Sequence, residues 1–220
     1  MVYALAFLAV ATAGLGYFLG WRSRQKALRV ALADHAGKLA IAEQEIIRHT
    51  AVDPVTGLHM QRHFQEFLER EWRRASRQRQ AVSVIMIEID HFRGFHERQG
   101  PVASDACLRN VANALKALIH RPSDALTLYG DPGKFGVVLG GTDRAGAVVL
   151  AGRLRAVVEG LRTPNPVSSN SPFVTATLGV ASATPDRDAA WQDIELIAAA
   201  ENALDRAKDA GRNVVMASPA

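Results

Sequence analysis

After Pro54 the hydrophobic pattern of the chain changes repeatedly between the helical and the extended period. From Phe64 to Trp72 apolar residues recur every three or four positions, as on one face of an amphipathic helix. The next stretch, Val82 to Ile89, is a short apolar run rich in residues that favour strands. Because helices and strands then alternate to the end of the chain and must share one core, the predicted fold class is α+β.

Two of the predicted strands are joined by a tight turn. Residues 126–129 and 135–139 flank the sequence Gly130-Asp131-Pro132-Gly133, which is typical of a β-hairpin. The same patterns predict helices over 108–119, 147–161 and 197–207, strands over 173–183 and near 214, and a polar loop over 163–172. These elements place one domain over residues 53–217.

The first 21 residues carry a different signal. From Val2 to Trp21 no residue is charged, and about 20 apolar positions are the length needed to cross the hydrocarbon core of a bilayer. The first charges after this run, from Arg22 to Arg29, are all basic, which places the C-terminal side in the cytoplasm. A cleaved signal peptide carries its basic residues before the apolar run. Residues 1–21 are therefore interpreted as a single transmembrane anchor.

Residues 22–52 are predicted to form a helical linker between this anchor and the domain. Leu32, Leu39 and Ile46 recur every seven residues within 28–49, which indicates a weak heptad seam. Two interpretations stay open: a parallel homodimer through 28–49, or a single long helix that docks on the domain. The helix is expected to end at Asp53, because the proline that follows disfavours helical backbone there.

Charge and cysteine content narrow the classes of function. The net charge is +4, and the basic residues concentrate at 22–29 and 70–79, without the aromatic platform of a nucleic-acid-binding surface. A membrane flank explains the first run and a solvated helix face the second, so no nucleic-acid partner is expected. The single cysteine, Cys107, excludes an intramolecular disulfide and lies on an apolar helical stripe, where we expect a buried core residue.

Two carboxylates stand at the end of the strand that begins at Val82. Glu88 and Asp90 fall on one face, because side chains alternate along a strand. Such a pair near a hairpin suits Mg²⁺ coordination between nucleotide phosphates, and the competing interpretation is that both acids cap the strand and face water. Asp105 lies one turn before Leu108 on an apolar stripe, so it is either a charge favoured by the helix dipole or a ligand contact.

Four segments stand out as motifs: Asp53-Pro-Val-Thr-Gly-Leu58, Glu88 to Arg93 followed by Gly100, Asp105 and Leu108, Val174-Thr-Ala-Thr-Leu-Gly-Val180, and Ala200 to Asn213. In order and spacing they resemble the motifs of GGDEF domains, the diguanylate cyclase family of bacterial signalling proteins. The resemblance implies a palm-like fold with a central, mostly antiparallel sheet flanked by helices. It also implies that the anchor lies in a bacterial inner membrane, with the domain in the cytoplasm.

The sequence departs from the family at the catalytic hairpin. The family reads R-Y-G-G-[DE]-E-F, whose acids hold metal and assist attack on GTP, whereas Leu128-Tyr-Gly-Asp-Pro-Gly-Lys-Phe135 is one residue longer and carries Lys134 at the second acid. The metal-binding Asp has become Glu88. Phosphoryl transfer depends on positioning and electrostatics, so no catalytic residue is predicted in the altered hairpin, which comprises Gly130, Asp131, Pro132, Gly133 and Lys134. No cofactor is expected, and Mg²⁺ would bind Glu88 and Asp90 only if the domain were active.

Other family positions persist and imply a residual nucleotide site. Lys208 and Arg212 match residues that meet the triphosphate, Asp105 matches the guanine contact, and His96 replaces the guanine-reading Asn. Stabilisation of the last turn of a helix is an equally good explanation of the two cations.

A second nucleotide site is implied by Arg121-Pro-Ser-Asp124. This segment resembles the R-x-x-D site, which in the family binds cyclic di-GMP and stands five residues before the signature, as it does here. An arginine fork can address a guanine edge or a phosphate, and Asp124 can accept from guanine N–H groups. The competing interpretation is an ion pair within the loop.

Three hypotheses follow from these residues. The leading one is a catalytically inactive membrane protein that binds cyclic di-GMP through Arg121 and Asp124, acts as a scaffold for an unidentified protein partner, or does both. The second is an atypical cyclase that makes cyclic di-GMP from two GTP, with Mg²⁺ on Glu88, Asp90 and Asp131. The third is an interaction or dimerisation domain with no nucleotide ligand.

Overall fold

The computed structural model describes residues 52–185 and 193–219. The predicted membrane anchor at 1–21, nearly all of the linker at 22–52 and the heptad seam at 28–49 lie outside these residues and stay predictions. Within the part of the chain that is described, no helix is long and apolar enough to cross a membrane.

The described residues form the alternating helices and strands that the periodicity predicts. The helices are α1 (Gln61–Gln78), α2 (Phe92–Lys116), α3 (Arg144–Gly160) and α4 (Asp193–Asp209), and the strands are β1 (Val82–Ile89), β2 (Asp124–Leu128), β3 (Lys134–Gly140), β4 (Ala176–Ala183) and β5 (Val215–Ala217). The α+β class is confirmed. Helix α2 begins earlier than its apolar stripe and ends before Ile119, and β4 begins later than Phe173.

The described strands form one mixed sheet in the order β2-β3-β1-β4-β5. The central strand β1 pairs antiparallel with β3 and β4, β2 pairs antiparallel with β3, and β4 pairs parallel with β5. The expectation of a mostly antiparallel sheet flanked by helices is therefore confirmed. The register sets Glu88 opposite Lys134 on β3 and opposite Thr177 on β4, which decides what surrounds the predicted site.

The side chains of β1 alternate between two apolar layers. Ile85, Ile87 and Ile89 pack with residues of α2 and α3, whereas Val84 and Met86 pack with residues of α1 and α4. Cys107 of α2 is buried in the first layer, and burial raises the pKa of its thiol to about 11, which confirms the predicted core role. Because alternation continues along the strand, Glu88 projects on the side of α1 and α4.

Helix α2 changes direction in its middle, where Gly100 adopts φ 79° and ψ 174°. Such a backbone angle favours glycine, and Pro101 then occupies the first turn of the second half, where a proline is tolerated. The hydroxyl of Ser104 donates to the carbonyl of Gly100 at 2.9 Å. The break places His96 on one half of the helix and Asp105 on the other.

The first motif, Asp53 to Leu58, forms a closed turn ahead of α1. The carboxylate of Asp53 accepts from the main-chain N–H and the hydroxyl of Thr56 at 2.6 and 2.7 Å, and Gly57 has φ 66°. Leu58 is buried, and the carbonyl of His59 accepts from Leu128 of β2 at 2.9 Å. This motif therefore fixes the start of α1 against the edge of the sheet.

Gly179 of β4 lets the backbone of α4 approach the sheet closely. A Cβ at this position would overlap the carbonyl oxygen of Ala200 and the amide nitrogen of Leu204. We expect Gly179→Ala to lower the free energy of unfolding by about 1–3 kcal/mol, because an overpacked core must shift its backbone.

The matched control is Gly152→Ala on α3, where no atom beyond the chain neighbours and the adjacent backbone of the helix lies within 4 Å of the added Cβ. It should raise the free energy of unfolding by about 0.5–1 kcal/mol, through helix propensity. Urea unfolding followed by circular dichroism measures both variants. Equal stabilities of Gly179→Ala and the wild type would contradict the close approach of α4.

Candidate functional site

Asp90 lies just beyond β1 and is only 4% exposed. Its carboxylate accepts from the hydroxyls of Thr175 and Thr177 at 2.7 and 2.6 Å, and from the main-chain N–H of Asn213 at 3.2 Å. A buried carboxylate is stable only with such donors. The interpretation that Asp90 faces water is therefore wrong, because the residue joins β1, β4 and the segment after α4.

The turn after α4 is held by side chains of α3. Three successive residues, Gly211 to Asn213, have positive φ angles of 112°, 63° and 50°. The side-chain amide of Asn213 donates to Glu159 at 3.0 Å and accepts from Arg155 at 2.8 Å. The hydrogen bonds from Asn213 and Arg155 lower the pKa of Glu159. This network fixes the turn that carries Arg212.

Glu88 is paired with a lysine of α4. The ammonium of Lys208 lies 2.7 Å from the carboxylate of Glu88 and 3.3 Å from that of Asp205. Burial opposes the charge on Lys208, but the hydrogen bonds and charges of Glu88 and Asp205 outweigh it, so the pKa of the ammonium is raised. The cation predicted to meet a triphosphate therefore neutralises the acid predicted to hold a metal.

The turn between β2 and β3 is a four-residue loop, Gly130–Gly133. The N–H of Tyr129 donates to the carbonyl of Lys134 at 3.0 Å and closes the loop, and the N–H of Ile89 donates to the carbonyl of Gly133 at 2.9 Å. A Cβ at Gly133 would lie 3.0 Å from the ring of Phe92. The second glycine of the hairpin therefore packs on the start of α2, while Asp131 and Pro132 are exposed.

Lys134 spans from the hairpin to α4. Its ammonium lies 2.8 Å from the carboxylate of Glu201 and 5.3 Å from the centroid of the Tyr129 ring, a cation–π distance. Residues directly opposite in an antiparallel ladder share one face, so Lys134 and Glu88 project on the same side of the sheet. This face holds two lysine–glutamate pairs in which each acid comes from a different element.

The other predicted nucleotide contacts are more scattered. His96 is exposed on the first half of α2, Asp105 is half-buried on the second half, and Arg212 is half-buried in the turn after α4. Among the described residues, none of these three side chains forms a hydrogen bond or an ion pair with another or with Glu88. The structure thus brings only Lys208 of this set into contact with Glu88.

Arg121 and Asp124 bound a tight turn at the start of β2. The N–H of Asp124 donates to the carbonyl of Arg121 at 3.0 Å, and the Asp124 carboxylate accepts from the hydroxyl of Ser123 at 3.2 Å. The guanidinium of Arg121 is exposed and forms no ion pair in the part of the chain that is described. The predicted alternative, an ion pair between Arg121 and Asp124, does not occur in this conformation.

Asp124 is half-buried, and this burial raises the pKa of its carboxyl group. The hydrogen bond from Ser123 and the charge of Arg121 act in the opposite direction, whereas the charge of Glu71 on α1 adds to the increase. Asp124 is therefore an acceptor whose charge depends on its neighbours.

The residues at Glu88 do not suit Mg²⁺, the metal that an active domain would need. Mg²⁺ requires near-octahedral oxygen ligands, but the oxygens of Asp90 accept from threonine hydroxyls and the carboxylate of Glu88 binds Lys208. Lys134 adds a second ammonium where the family has an acid. Across residues 52–185 and 193–219, no three His, Cys, Asp or Glu side chains are grouped to hold a metal ion.

Sequence reasoning missed Glu201, the acid that binds Lys134. Glu201, Asp205 and Lys208 lie at i, i+4 and i+7, which places them on one face of α4. That spacing could have indicated from the sequence that Glu201 lies near Lys208 on this face. It also missed Thr175 and Thr177, which alternate along the chain before and within β4 and share one face with Asp90.

Comparison of the sequence with known proteins agrees with the fold described above. A family profile described as "Diguanylate cyclase, GGDEF domain" matches residues 50–214. The chain belongs to the GGDEF domain family. This GGDEF domain is similar to an uncharacterised signalling protein of Caulobacter vibrioides, at 35% identity over 79% of this chain and 21% of that protein. It is also similar to the probable diguanylate cyclase DgcT of Escherichia coli, at 34% identity over 74% of this chain and 35% of that protein.

The solved structures show the same fold. The coiled coil and GGDEF domain of DgcB from Caulobacter crescentus, in complex with c-di-GMP, has a TM-score of 0.68 at 23% identity. The match covers 87% of this chain and 99% of that chain. The chain spans about a fifth and a third of the length of the two curated relatives, so the comparisons confirm the family and the fold.

Asp90 offers a direct test of the site geometry. We expect Asp90→Asn to lower the free energy of unfolding by about 2 kcal/mol or more, because hydrogen bonds to a charged group contribute about 1.5–3 kcal/mol each. The control is Asp131→Asn in the exposed hairpin turn, which should change stability by less than about 0.5 kcal/mol. Urea unfolding measures both, and equal stabilities would show that the Asp90 charge is not needed.

Proposed function

We propose that this protein is a catalytically inactive GGDEF-domain protein that binds cyclic di-GMP through Arg121 and Asp124. A protein partner of unidentified class would read the bound state at the membrane. The main support for the loss of catalysis is a pair of ion pairs, Lys134–Glu201 and Lys208–Glu88, on the face of the sheet that carries Lys134 and Glu88, here called the hairpin face.

Two effects of these ion pairs act against catalysis. Replacing an acid by Lys134 puts a positive charge where a metal cation would have to bind, and Glu201 holds that charge in place. The hairpin is also one residue longer than the family signature, and Gly133 of its turn lies against the ring of Phe92. Since a displacement of about 1 Å can reduce a rate about 100-fold, the altered turn and the reversed charge together remove the geometry that the family uses.

The receptor role is supported at the opposite end of the same hairpin. Arg121 is exposed and forms no ion pair with any of the described residues, so its five N–H donors can address a guanine edge or a phosphate. Asp124 stands at the start of β2, and five residues separate it from Gly130, as the family site requires. The neighbour DgcB is described in complex with c-di-GMP, which makes this nucleotide the first ligand to test.

The names of the curated relatives support one alternative to an inactive domain. DgcT is named a probable diguanylate cyclase, and Asp131 is an exposed acid in the turn, so an atypical cyclase is the competing function. We expect the full-length protein, purified in detergent with GTP and either Mg²⁺ or Mn²⁺, to yield no cyclic di-GMP by chromatography. Product that disappears in Glu88→Ala would establish the cyclase and end the proposal of an inactive domain.

The membrane anchor is part of the proposal and rests on the sequence of residues 2–21. A bacterial inner-membrane location with the GGDEF domain in the cytoplasm follows from the apolar run and its basic flank, and the segment 28–49 would join two copies. The protein should stay with the membrane fraction in high salt, which removes proteins held by charge alone. Release by salt would contradict a spanning segment.

The binding of cyclic di-GMP and the role of Arg121 in it can be tested by calorimetry. Calorimetry should show cyclic di-GMP binding with a Kd of about 1 µM or lower, which corresponds to about −8 kcal/mol. Arg121→Ala should weaken binding at least about tenfold, because each charge-assisted hydrogen bond contributes about 1.5–3 kcal/mol. The control is Arg98→Ala, an exposed arginine of α2 that should leave Kd unchanged. No binding by the wild type would leave only the scaffold role.

A further inference from the structure

Glu71 of α1 is a buried acid that the proposed function does not yet use. Its side chain is 7% exposed, although it lies on the helix face that carries Leu68, Trp72 and Ala75 into the core. Glutamates are almost never buried unless they are paired. In the described residues its ion pair is with Arg74, at 3.2 Å, and that side chain is 44% exposed.

The carboxylate of Glu71 lies against the turn formed by Arg121 to Asp124. A Cβ at Gly140, on β3, would overlap this carboxylate and would lie 3.0 Å from the carbonyl oxygen of Ser123. The N–H of Gly140 donates to the same carbonyl at 2.9 Å. The missing side chain of Gly140 thus leaves a space that is bordered by the carboxylate of Glu71 on one side and by Ser123, the residue next to Asp124, on the other.

Four neighbouring groups act on the charge of Asp124. The Ser123 hydroxyl and the charges of Arg121 and His120 favour the ionised carboxylate, whereas Glu71 disfavours it. Arg74 is paired with Glu71 at 3.2 Å. A nearby negative charge disfavours ionisation of a carboxyl group, so Glu71 adds to the increase in the pKa of Asp124 that burial causes.

We propose that Glu71 is a positioning residue of the cyclic di-GMP site, which acts on the ligand through Asp124 and makes ligand binding depend on pH. This inference rests on the proposed function. The N–H donors of a guanine edge bind the ionised form of Asp124 more strongly, because both of its oxygens then accept and the hydrogen bonds are charge-assisted. Binding should therefore weaken as the pH falls through the raised pKa of Asp124 and recover above it.

The sign of each variant follows from the charge that it removes. Glu71→Gln removes a negative charge from the neighbourhood of Asp124, so the pKa of Asp124 falls and binding persists to lower pH. Ser123→Ala removes a donor to the ionised carboxylate, so the pKa of Asp124 rises and binding is lost at higher pH. The two substitutions therefore move the midpoint of binding in opposite directions.

The experiment titrates the full-length protein in detergent with cyclic di-GMP, by calorimetry, from about pH 4.5 to 8. The control is Glu69→Gln on the same helix, whose carboxylate is 48% exposed and paired with Arg73. We expect a midpoint below that of the wild type for Glu71→Gln, a midpoint above it for Ser123→Ala, and no change for Glu69→Gln.

Failure of this inference can be told from failure of the proposed function. Absent binding, or binding that is unaffected by Arg121→Ala, would refute the receptor itself. Binding that requires Arg121 but has the same pH midpoint in the wild type and Glu71→Gln would overturn the role of Glu71. A uniform gain in affinity at every pH would overturn it too, since it would reflect net charge alone.

A second variant guards against misfolding. Glu71→Leu removes the same charge and fills the buried position with an apolar side chain, while the remaining partner, Arg74, is 44% exposed and can be solvated. Its pH midpoint should match that of Glu71→Gln. A midpoint equal to that of the wild type in the folded Glu71→Leu protein would likewise refute the proposal.

Discussion

The buried carboxylate of Asp90 is the interaction on which the arrangement of the site depends. It accepts from two threonines of the β4 segment and from the main chain of Asn213, so one charge joins three segments that are distant in sequence. Asn213 in turn binds Glu159 and Arg155 of α3. The turn that carries Arg212 and the end of α4 that carries Lys208 are therefore positioned relative to β1 by this group.

Once β1 and α4 are held together, charge decides what their shared face can do. Glu88 is satisfied by Lys208 and Glu201 by Lys134, and all four side chains are partly exposed. Partly exposed ion pairs add little stability. They nevertheless change the chemistry of this face, because the acids that a divalent cation would need as ligands are paired with ammonium groups. The same contacts that contribute weakly to folding are thus the strongest argument about function.

The two ends of the β2–β3 hairpin differ in the freedom of their polar groups. At the turn, Lys134 is engaged by Glu201 and Gly133 packs on Phe92. At the start of β2, Arg121 is exposed and forms no ion pair within residues 52–185 and 193–219, and burial, Ser123 and the charges of Arg121 and Glu71 act on the pKa of Asp124. A site with unengaged donors can bind a ligand at a lower cost in broken contacts than one whose charges are already paired.

Much of the architecture follows from local patterns in the sequence. Periodicity located the helices and strands, the Gly130–Gly133 turn identified the hairpin, and alternation along β1 placed Glu88 on the face of Met86. Four motifs indicated the family. These predictions succeeded because each depends on neighbours a few residues apart. The limits of β4 and α2 were less accurate, since strand pairing and the kink at Gly100 set them.

Only the tertiary structure decided which charges meet. The partners Lys134 and Glu201, and Asp90 and Asn213, are brought together by the register of the sheet and by the packing of α4 on it. Glu71 and Ser123 lie on either side of Gly140, and a side chain at Gly140 would overlap the carboxylate of Glu71. Local periodicity carries no information on such distant pairs. The sequence therefore determined the fold and the family. Long-range packing determined that two ion pairs form on the hairpin face and that the side chain of Arg121 is exposed.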